Sequence, residues 1–146
     1  MKIYRLQSEV LYLPLIKEWF DAIVYGDKRQ EYRMINPFWL KRLYEPTNGN
    51  AVLYWDSLFG KDVYENKYKM FLANVRTAIR HGDIRPKDYK YVEFTLGYPR
   101  KDDTERRKRY KIKEIIMGVG LSKWGAPDCE VFIIRFDGNE SRGNKQ

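Results

Sequence analysis

The sequence has little of the chemistry on which many catalytic sites depend, with one cysteine, Cys129, and one histidine, His81, among its 146 residues. A single cysteine excludes an intramolecular disulfide, which favours a reducing compartment. A single histidine excludes a histidine-rich metal site and leaves one candidate base for a serine or cysteine triad. His81 precedes Gly82 at a predicted helix end, which favours a capping role, and Cys129 falls in a predicted loop as an incidental thiol. We therefore predict no metal and no cofactor.

Long apolar runs are also missing. No stretch approaches the roughly 18 apolar residues of a membrane span. Near the beginning of the chain, Arg5, Glu9, Lys17 and Glu18 interrupt every apolar run, so this part lacks the form of a signal peptide. We expect a cytoplasmic protein with no membrane partner.

Acidic residues are in deficit, with 20 acidic against 28 basic residues and a net charge of +8. An excess of this size favours polyanion partners and accelerates their encounter. The length suits one domain, and the composition of 43% apolar and 33% charged residues suits a globular chain. Aromatic residues reach 16%, enough to build part of the core and to leave some for stacking on a flat ligand.

The first part of the chain alternates between predicted strands and helices. Residues 2–13 form a first strand, and the spacing of apolar residues then predicts a helix over 14–25 that begins at Pro14. Residues 31–35 form a short strand. Asn36 and Pro37 cap a second helix that runs through Leu43.

Residues 45–65 are rich in turn formers, and the apolar patch at 51–55 predicts a strand or a short edge piece. A third helix over 67–80 ends at Gly82. The last third is β, with strands over 91–98, 110–117 and 131–136. The apolar side of the second switches near Glu114, which indicates a bulge, and the third is apolar on both faces, as in a central strand. This order predicts an α+β fold with a curved or barrel-like sheet, and the polar residues 137–146 form a frayed tail.

The segment from Gly26 to Arg33 carries the most informative side chains. Lys28 falls on the predicted loop after the first helix, and Glu31 and Arg33 point to the same face of the following strand because side chains alternate. Glu31 then holds Arg33, which offers a planar fork to a phosphate or a base edge. Lys28 neutralises an anion or, when desolvated, acts as a base. The alternative is an exposed strand salt bridge without function.

These residues resemble the signature of the ASCH domain family, an aromatic-rich helix that ends in G-x-K-x-x-E-x-R. The matching segments are Trp19-Phe20-Asp21-Ala22-Ile23, Gly26-Asp27-Lys28 and Glu31-Tyr32-Arg33. Asn36-Pro37-Phe38-Trp39, Gly97-Tyr98 and Lys123-Trp124-Gly125-Ala126 resemble a bacterial and phage-like branch. The resemblance implies one PUA-like domain over residues 1–137, a curved β-barrel with flanking helices, a helical insertion at about 45–88, and a disordered tail over 138–146.

The resemblance also implies a cleft that binds RNA or a nucleotide. Some small members are amidohydrolases that remove an acyl group from the exocyclic nitrogen of N4-acylcytidine with a lysine, a threonine and a distant glutamate. Lys28 matches that lysine, and Glu31 stands where those enzymes carry the threonine. Other members are ribonucleases. Lys28 and Glu31 are therefore the candidate catalytic residues if the chain is an enzyme.

A second basic feature lies between the predicted strands at 91–98 and 110–117. It contains Arg100, Lys101, Arg106, Arg107, Lys108, Arg109, Lys111 and Lys113. A basic hairpin there follows phosphates, or else it is a solvated turn that keeps a sheet edge soluble. Tyr98 and Trp124, the latter flanked by Lys123, are stacking candidates. Tyr98 also shares a predicted face with Val92 and Phe94, which favours a core position.

Three functions remain open at this point. The first is a module that binds RNA or a modified nucleotide through Lys28, Glu31, Arg33 and Trp124. The second is a small hydrolase that uses Lys28 and Glu31. The third is a protein-interaction domain that docks partners on the helix at 67–80, for which exposed apolar residues on that helix are the sign.

Overall fold

The computed structural model describes residues 9–141, in which strands and helices are interspersed. The strands are β1 (Val10–Leu15), β2 (Gln30–Arg33), β3 (Tyr44–Pro46), β4 (Ile84–Pro86), β5 (Tyr91–Leu96), β6 (Arg107–Val119) and β7 (Glu130–Glu140). The helices are α1 (Lys17–Val24), α2 (Pro37–Leu43), α3 (Gly49–Leu53), α4 (Trp55–Phe59), α5 (Lys61–Asn66) and α6 (Tyr68–His81), and a 3₁₀ turn spans Ser122–Trp124.

Five strands form one curled sheet in the order β1-β5-β6-β7-β2. The pair β1 and β5 is parallel, and the other neighbours are antiparallel. The sheet curls into a half-barrel with helices packed against it, which confirms the α+β class and the curved sheet. Strands β3 and β4 form a separate two-stranded pair.

The first helix begins later than the sequence predicts. Pro14 lies in β1 opposite Thr95, and α1 starts at Lys17, so the predicted helix start at Pro14 is wrong. Because β1 is an edge strand, it is hydrogen-bonded to a neighbour on one side only. A proline there removes at most one hydrogen bond of the sheet. Part of the predicted first strand, residues 2–8, lies outside the described residues.

The second helix follows the prediction. The side chain of Asn36 accepts a hydrogen bond from the backbone N–H of Trp39 at 2.9 Å, and Pro37 occupies the first turn. Both features satisfy or remove N–H groups that a helix start leaves without partners. The short strand before it spans Gln30–Arg33, close to the predicted 31–35.

Residues 49–66 are largely helical, where the residue pattern predicted turns and a strand. The strand expected at 51–55 is wrong, because α3 and α4 cover these residues and the side chain of Asn48 caps α3 through the N–H of Ala51. A polar cap and a local helix thus override the short apolar run.

Helix α6 confirms the third predicted helix. It ends at Gly82, which adopts φ +76°, the left-handed conformation that glycine tolerates best. Its buried face consists of Phe71, Val75 and Ala78. Among its large apolar residues, Tyr68 and Met70 near its first turn are exposed. Exposed large apolar residues, the sign of a docking face on this helix, are thus found near its first turn.

Strands β6 and β7 form the back of the half-barrel. The register between them shifts on both sides of Ile112, up to Glu114, which confirms the predicted irregularity. Strand β7 lies between β6 and β2 and buries residues 131–134, as expected of a central strand. It runs to Glu140, so residues 137–140 are strand where the sequence predicted a tail, because they continue the pairing beside β6.

No helix within residues 9–141 is long and apolar enough to cross a membrane.

Candidate functional site

The motif residues form a chain of ion pairs at the junction of α1 and β2. Lys28 Nζ lies 2.7 Å from Glu31 Oε1, and Arg33 Nη1 lies 2.5 Å from Glu31 Oε2. The backbone N–H of Lys28 donates to the carbonyl of Ala22 at 3.1 Å, so the loop folds tightly against the end of α1. Gly26 permits this turn, since a Cβ there would come within 2.8 Å of the same carbonyl oxygen. The sequence therefore placed these three charges together correctly.

Lys28 is enclosed by protein. It is 1% exposed, with its Nζ 4.3 Å from the centre of the Trp19 ring and 5.8 Å from that of Tyr32. Burial lowers the pKa of Lys28, and the neighbouring Glu31 carboxylate opposes that shift by favouring the charged form. Gly125 packs closely on Trp19, because a Cβ there would lie 2.7 Å from the ring. The lysine thus faces a closed compartment, where the sequence suggested a ligand-facing loop.

Arg33 joins the two open edges of the half-barrel. From β2, its Nη2 donates to the carbonyl of Pro14 on β1 at 3.2 Å, and its Nη1 donates to Glu31 and to the carbonyl of Tyr32. The guanidinium also lies 5.1 Å from the ring centre of Trp39. Both terminal nitrogens are therefore engaged by the protein, so Arg33 does not present the free fork that the sequence suggested.

A cavity of about 510 Å³ opens beside this junction. Trp39 and Pro14, both in contact with Arg33, belong to its wall. Its lining residues are Tyr12, Leu13, Pro14, Phe38, Trp39, Arg42, Thr95, Tyr98, Pro99 and Arg107. None of the lining residues in the described part of the chain is acidic.

The aromatic side chains of this cavity are unusually accessible. Tyr98 is 93% exposed and Phe38 is 63% exposed, while Trp39 packs edge-on against Phe38 with ring centres 5.0 Å apart. The core position suggested for Tyr98 is wrong, because β5 ends at Leu96 and Gly97 turns the chain with φ +63°. Tyr98 instead stands exposed at the mouth of the cavity.

A second buried carboxylate lies on the other side of the cavity. Glu93 on β5 accepts hydrogen bonds from Arg109 at 3.0 Å and from Arg107 at 3.4 Å. Arg107 also donates to the carbonyls of Pro99 at 2.6 Å and Arg100 at 2.9 Å, which fixes the turn that carries Tyr98. Sequence reasoning missed Glu93, although a lone acid among the apolar residues of a strand was the available signal.

The cations outnumber the carboxylates on both sides of the cavity. Glu31 is shared by Lys28 and Arg33, and Glu93 is shared by Arg107 and Arg109. Within residues 9–141, each ion-paired group therefore combines two cations with one carboxylate, and Glu18 also acts on Lys28 by favouring its charged form. Because both groups are partly or wholly removed from solvent, water and salt screen their surplus charge less than on an open surface.

Arg42 is the third source of positive charge and was also missed from the sequence. Its Nη2 donates to the carbonyl of Tyr12 at 2.9 Å, and its guanidinium lies 5.7 Å from the ring centre of Trp39. Within residues 9–141, no carboxylate lies within 4.0 Å of it. Its position three residues after Trp39 on one helix was the signal that it shares the Trp39 face.

The predicted basic hairpin is largely neutralised by neighbouring acids. Arg100 lies 3.8 Å from Asp102, Arg106 lies 3.6 Å from Asp103, and Lys108 on β6 lies 4.0 Å from Glu140. Arg107 and Arg109 belong to β6 and bind Glu93, so they are not part of the turn. These contacts favour the solvated-turn interpretation for most of the segment.

Trp124 and Lys123 lie apart from the cavity lining. Trp124 packs against a small apolar cluster that includes Tyr32 and Ala126, and Lys123 Nζ lies 5.2 Å from its ring centre. The aromatic side chains that line the cavity include Phe38, Trp39 and Tyr98.

His81 and Cys129 do not line this cavity. His81 lies in the last turn of α6, and Cys129 is exposed. No cluster of three or more potential metal ligands occurs among residues 9–141.

No known protein family, curated protein or solved structure matches this chain.

Proposed function

We propose that this chain is a PUA-like domain of the ASCH type that binds RNA or a nucleotide in the cavity between α2, β1 and the turn after β5. The observation that carries the proposal is the combination found there. Accessible aromatic rings and arginines line one cavity, to which residues 9–141 contribute no acidic side chain. Flat rings and surplus positive charge are what a base and its phosphate require.

The aromatic wall accounts for recognition of a base. Base–aromatic stacking contributes about 1–3 kcal/mol per base. Tyr98 is suited to this because its ring is almost fully exposed, so it loses little protein packing when a ligand covers it. Phe38 and Trp39 form a second aromatic surface in the same cavity, with their rings packed edge-on.

The motif residues act in this proposal as support. Arg33 ties β1 to β2 and stacks on Trp39, and Glu31 holds Arg33 in that position. Lys28 completes the pairing from the closed side. The motif thereby fixes the cavity wall, and its surplus charge adds to the field that attracts an anion.

The test is fluorescence anisotropy of a labelled single-stranded RNA hexamer. If binding neutralises about two phosphates of the single strand, the affinity falls about sevenfold between 50 and 200 mM salt. Tyr98→Ala is expected to weaken binding by about fivefold or more. Tyr25→Ala is the matched control, because Tyr25 is 75% exposed and does not line the cavity.

Two results contradict this function. The first is an affinity that does not change with salt. The second is an equal loss of RNA affinity in Tyr98→Ala and Tyr25→Ala, since that result would show that Tyr98 does not contact the bound RNA.

A second candidate function is hydrolysis by Lys28 and Glu31. The observation that favours it is the buried Lys28–Glu31 contact, in which burial lowers the pKa of Lys28 toward the range of a general base. Substrate reaches Lys28 only if Trp19 moves, because its ring covers the ammonium group. Release of acetate from N4-acetylcytidine, lost in Lys28→Ala, supports this function, and turnover retained in that variant rules out the assignment.

A further inference from the structure

The three arginines around the cavity are not equally able to bind a ligand. Arg33 uses both terminal nitrogens on Glu31 and on backbone carbonyls. Arg107 is held by Glu93 and by two carbonyls of the turn. Arg42 donates only through Nη2, to a backbone carbonyl, and no carboxylate in the described chain neutralises it. Arg42 is thus the cation of the cavity that is best placed to receive an outside anion.

The orientation of Arg42 is fixed without being blocked. Its bond to the carbonyl of Tyr12 holds one edge of the guanidinium against β1, and Trp39 lies beside it. A guanidinium fixed in this way loses less freedom when it binds a phosphate oxygen than a lysine on an open surface does. The turn cations are poorer candidates because their acids compete with the ligand.

The accessible rings restrict the form of the ligand. In a duplex both faces of each base are covered by neighbouring bases, so an aromatic side chain stacks only on a base that has left the stack. Tyr98 and Phe38 stand exposed at a hollow of about 510 Å³, a volume at the small-molecule end of ligand sites. Such a site suits a single unpaired nucleotide, either free or within a single strand.

This inference rests on the proposed nucleotide site. The geometry points to one unpaired nucleotide in the cavity, with its phosphate bound to Arg42 and its base stacked against Tyr98 and Phe38. Arg107 fixes the turn that carries Tyr98 through its bonds to the carbonyls of Pro99 and Arg100.

The experiment compares ligands that differ only by the phosphate. AMP, CMP, GMP and UMP and the four matching nucleosides are titrated into the wild-type chain, Arg42→Gln and Arg80→Gln, with binding followed by calorimetry or NMR. Glutamine at 42 removes the charge and retains an N–H donor for the Tyr12 carbonyl. Arg80 is an exposed arginine on α6 outside the cavity lining, which makes Arg80→Gln a matched control.

In the wild-type chain we expect the best-bound nucleotide to bind about tenfold more tightly than its nucleoside, the effect of one charge-assisted contact. Arg42→Gln should reduce this ratio to about two or less while nucleoside affinity stays the same. Arg80→Gln should leave the ratio at its wild-type value. Thermal unfolding of the three proteins checks that each is folded, and Arg42→Lys should retain part of the preference if Arg42→Gln is unstable.

Different results overturn different claims. A nucleotide preference that survives in Arg42→Gln, or that is absent from the wild-type chain while the RNA hexamer still binds, overturns the inference and leaves the proposed function in place. Failure of the hexamer, the nucleotides and the nucleosides to bind overturns both.

Discussion

Replacing Glu31 by glutamine should destabilise the protein far more than replacing an ordinary surface glutamate. The two carboxylate oxygens of Glu31 bind Lys28 and Arg33, and the Lys28 side chain is buried, with 1% exposure. Removing one partner of a buried ion pair leaves the other charge uncompensated, at a cost of about 3–5 kcal/mol. Because glutamine keeps one acceptor oxygen, we expect about 3 kcal/mol, near the lower end of that range.

The measurement is urea unfolding at neutral pH, followed by tryptophan fluorescence and circular dichroism, with the denaturant slope checked for constancy. The control is Glu45→Gln. Glu45 pairs with the exposed Arg85 at 3.0 Å, so its loss should cost about 0–1 kcal/mol. Adding Lys28→Met to Glu31→Gln should recover about 2 kcal/mol, because the uncompensated ammonium is replaced by an apolar chain of similar length.

Two outcomes would refute this reasoning. One is a Glu31→Gln protein as stable as Glu45→Gln, which would mean that the carboxylate does not compensate a buried charge. The other is a double variant less stable than Glu31→Gln alone, which would mean that Lys28 is stabilising without its partner.

Three further predictions concern the cavity and its support. Tyr98→Ala should change the free energy of unfolding by less than about 0.5 kcal/mol, because a surface side chain loses almost no packing; a larger loss in urea unfolding would show that Tyr98 is packed. Glu93→Gln should lower the free energy of unfolding by about 2–4 kcal/mol, since Glu93 is buried between two arginines. It should also increase cleavage within residues 97–106 in a limited trypsin digestion. Gly125→Ala should lower the free energy of unfolding by more than about 1 kcal/mol, because φ is +95° and the new methyl group meets the Trp19 ring. The control in the same thermal-melt assay is Gly82→Ala, which should be milder because φ is +76° but the space around it is open.

Local patterns predicted the elements whose causes are local. Asn36 followed by Pro37 marks a helix start wherever it occurs in the fold, and Gly82 marks a helix end. The two-residue spacing of Glu31 and Arg33 places them on one face of a strand, and their observed ion pair follows from it. Here backbone geometry alone sets the outcome.

The parts that failed depend on contacts between distant segments. Lys28 is closed off by Trp19, which is held in turn by Gly125 from a loop almost a hundred residues later. The Glu93 site arises because β5 and β6 pair with Glu93 opposite Arg109. Neither the register of a hairpin nor the approach of a loop can be read from residue spacing within one strand.

Tyr98 illustrates the same limit at a strand end. Alternation assigned it to the core face, but alternation holds only while the strand continues. Strand β5 stops at Leu96, and the positive φ of Gly97 redirects the chain. The turn at Gly97 therefore places the Tyr98 ring at the mouth of the cavity, where the sequence pattern predicted an interior position.

Binding of an unpaired nucleotide in the cavity beside the motif can be located by a ¹H–¹⁵N NMR titration with the single-stranded RNA hexamer. We expect the indole N–H of Trp39 and the amides of 12–13, 38–42 and 95–98 to shift together, while the indole of Trp55, which does not line this cavity, stays in place. Shifts centred on Trp55 or on α6, or no shifts at all, would contradict this prediction.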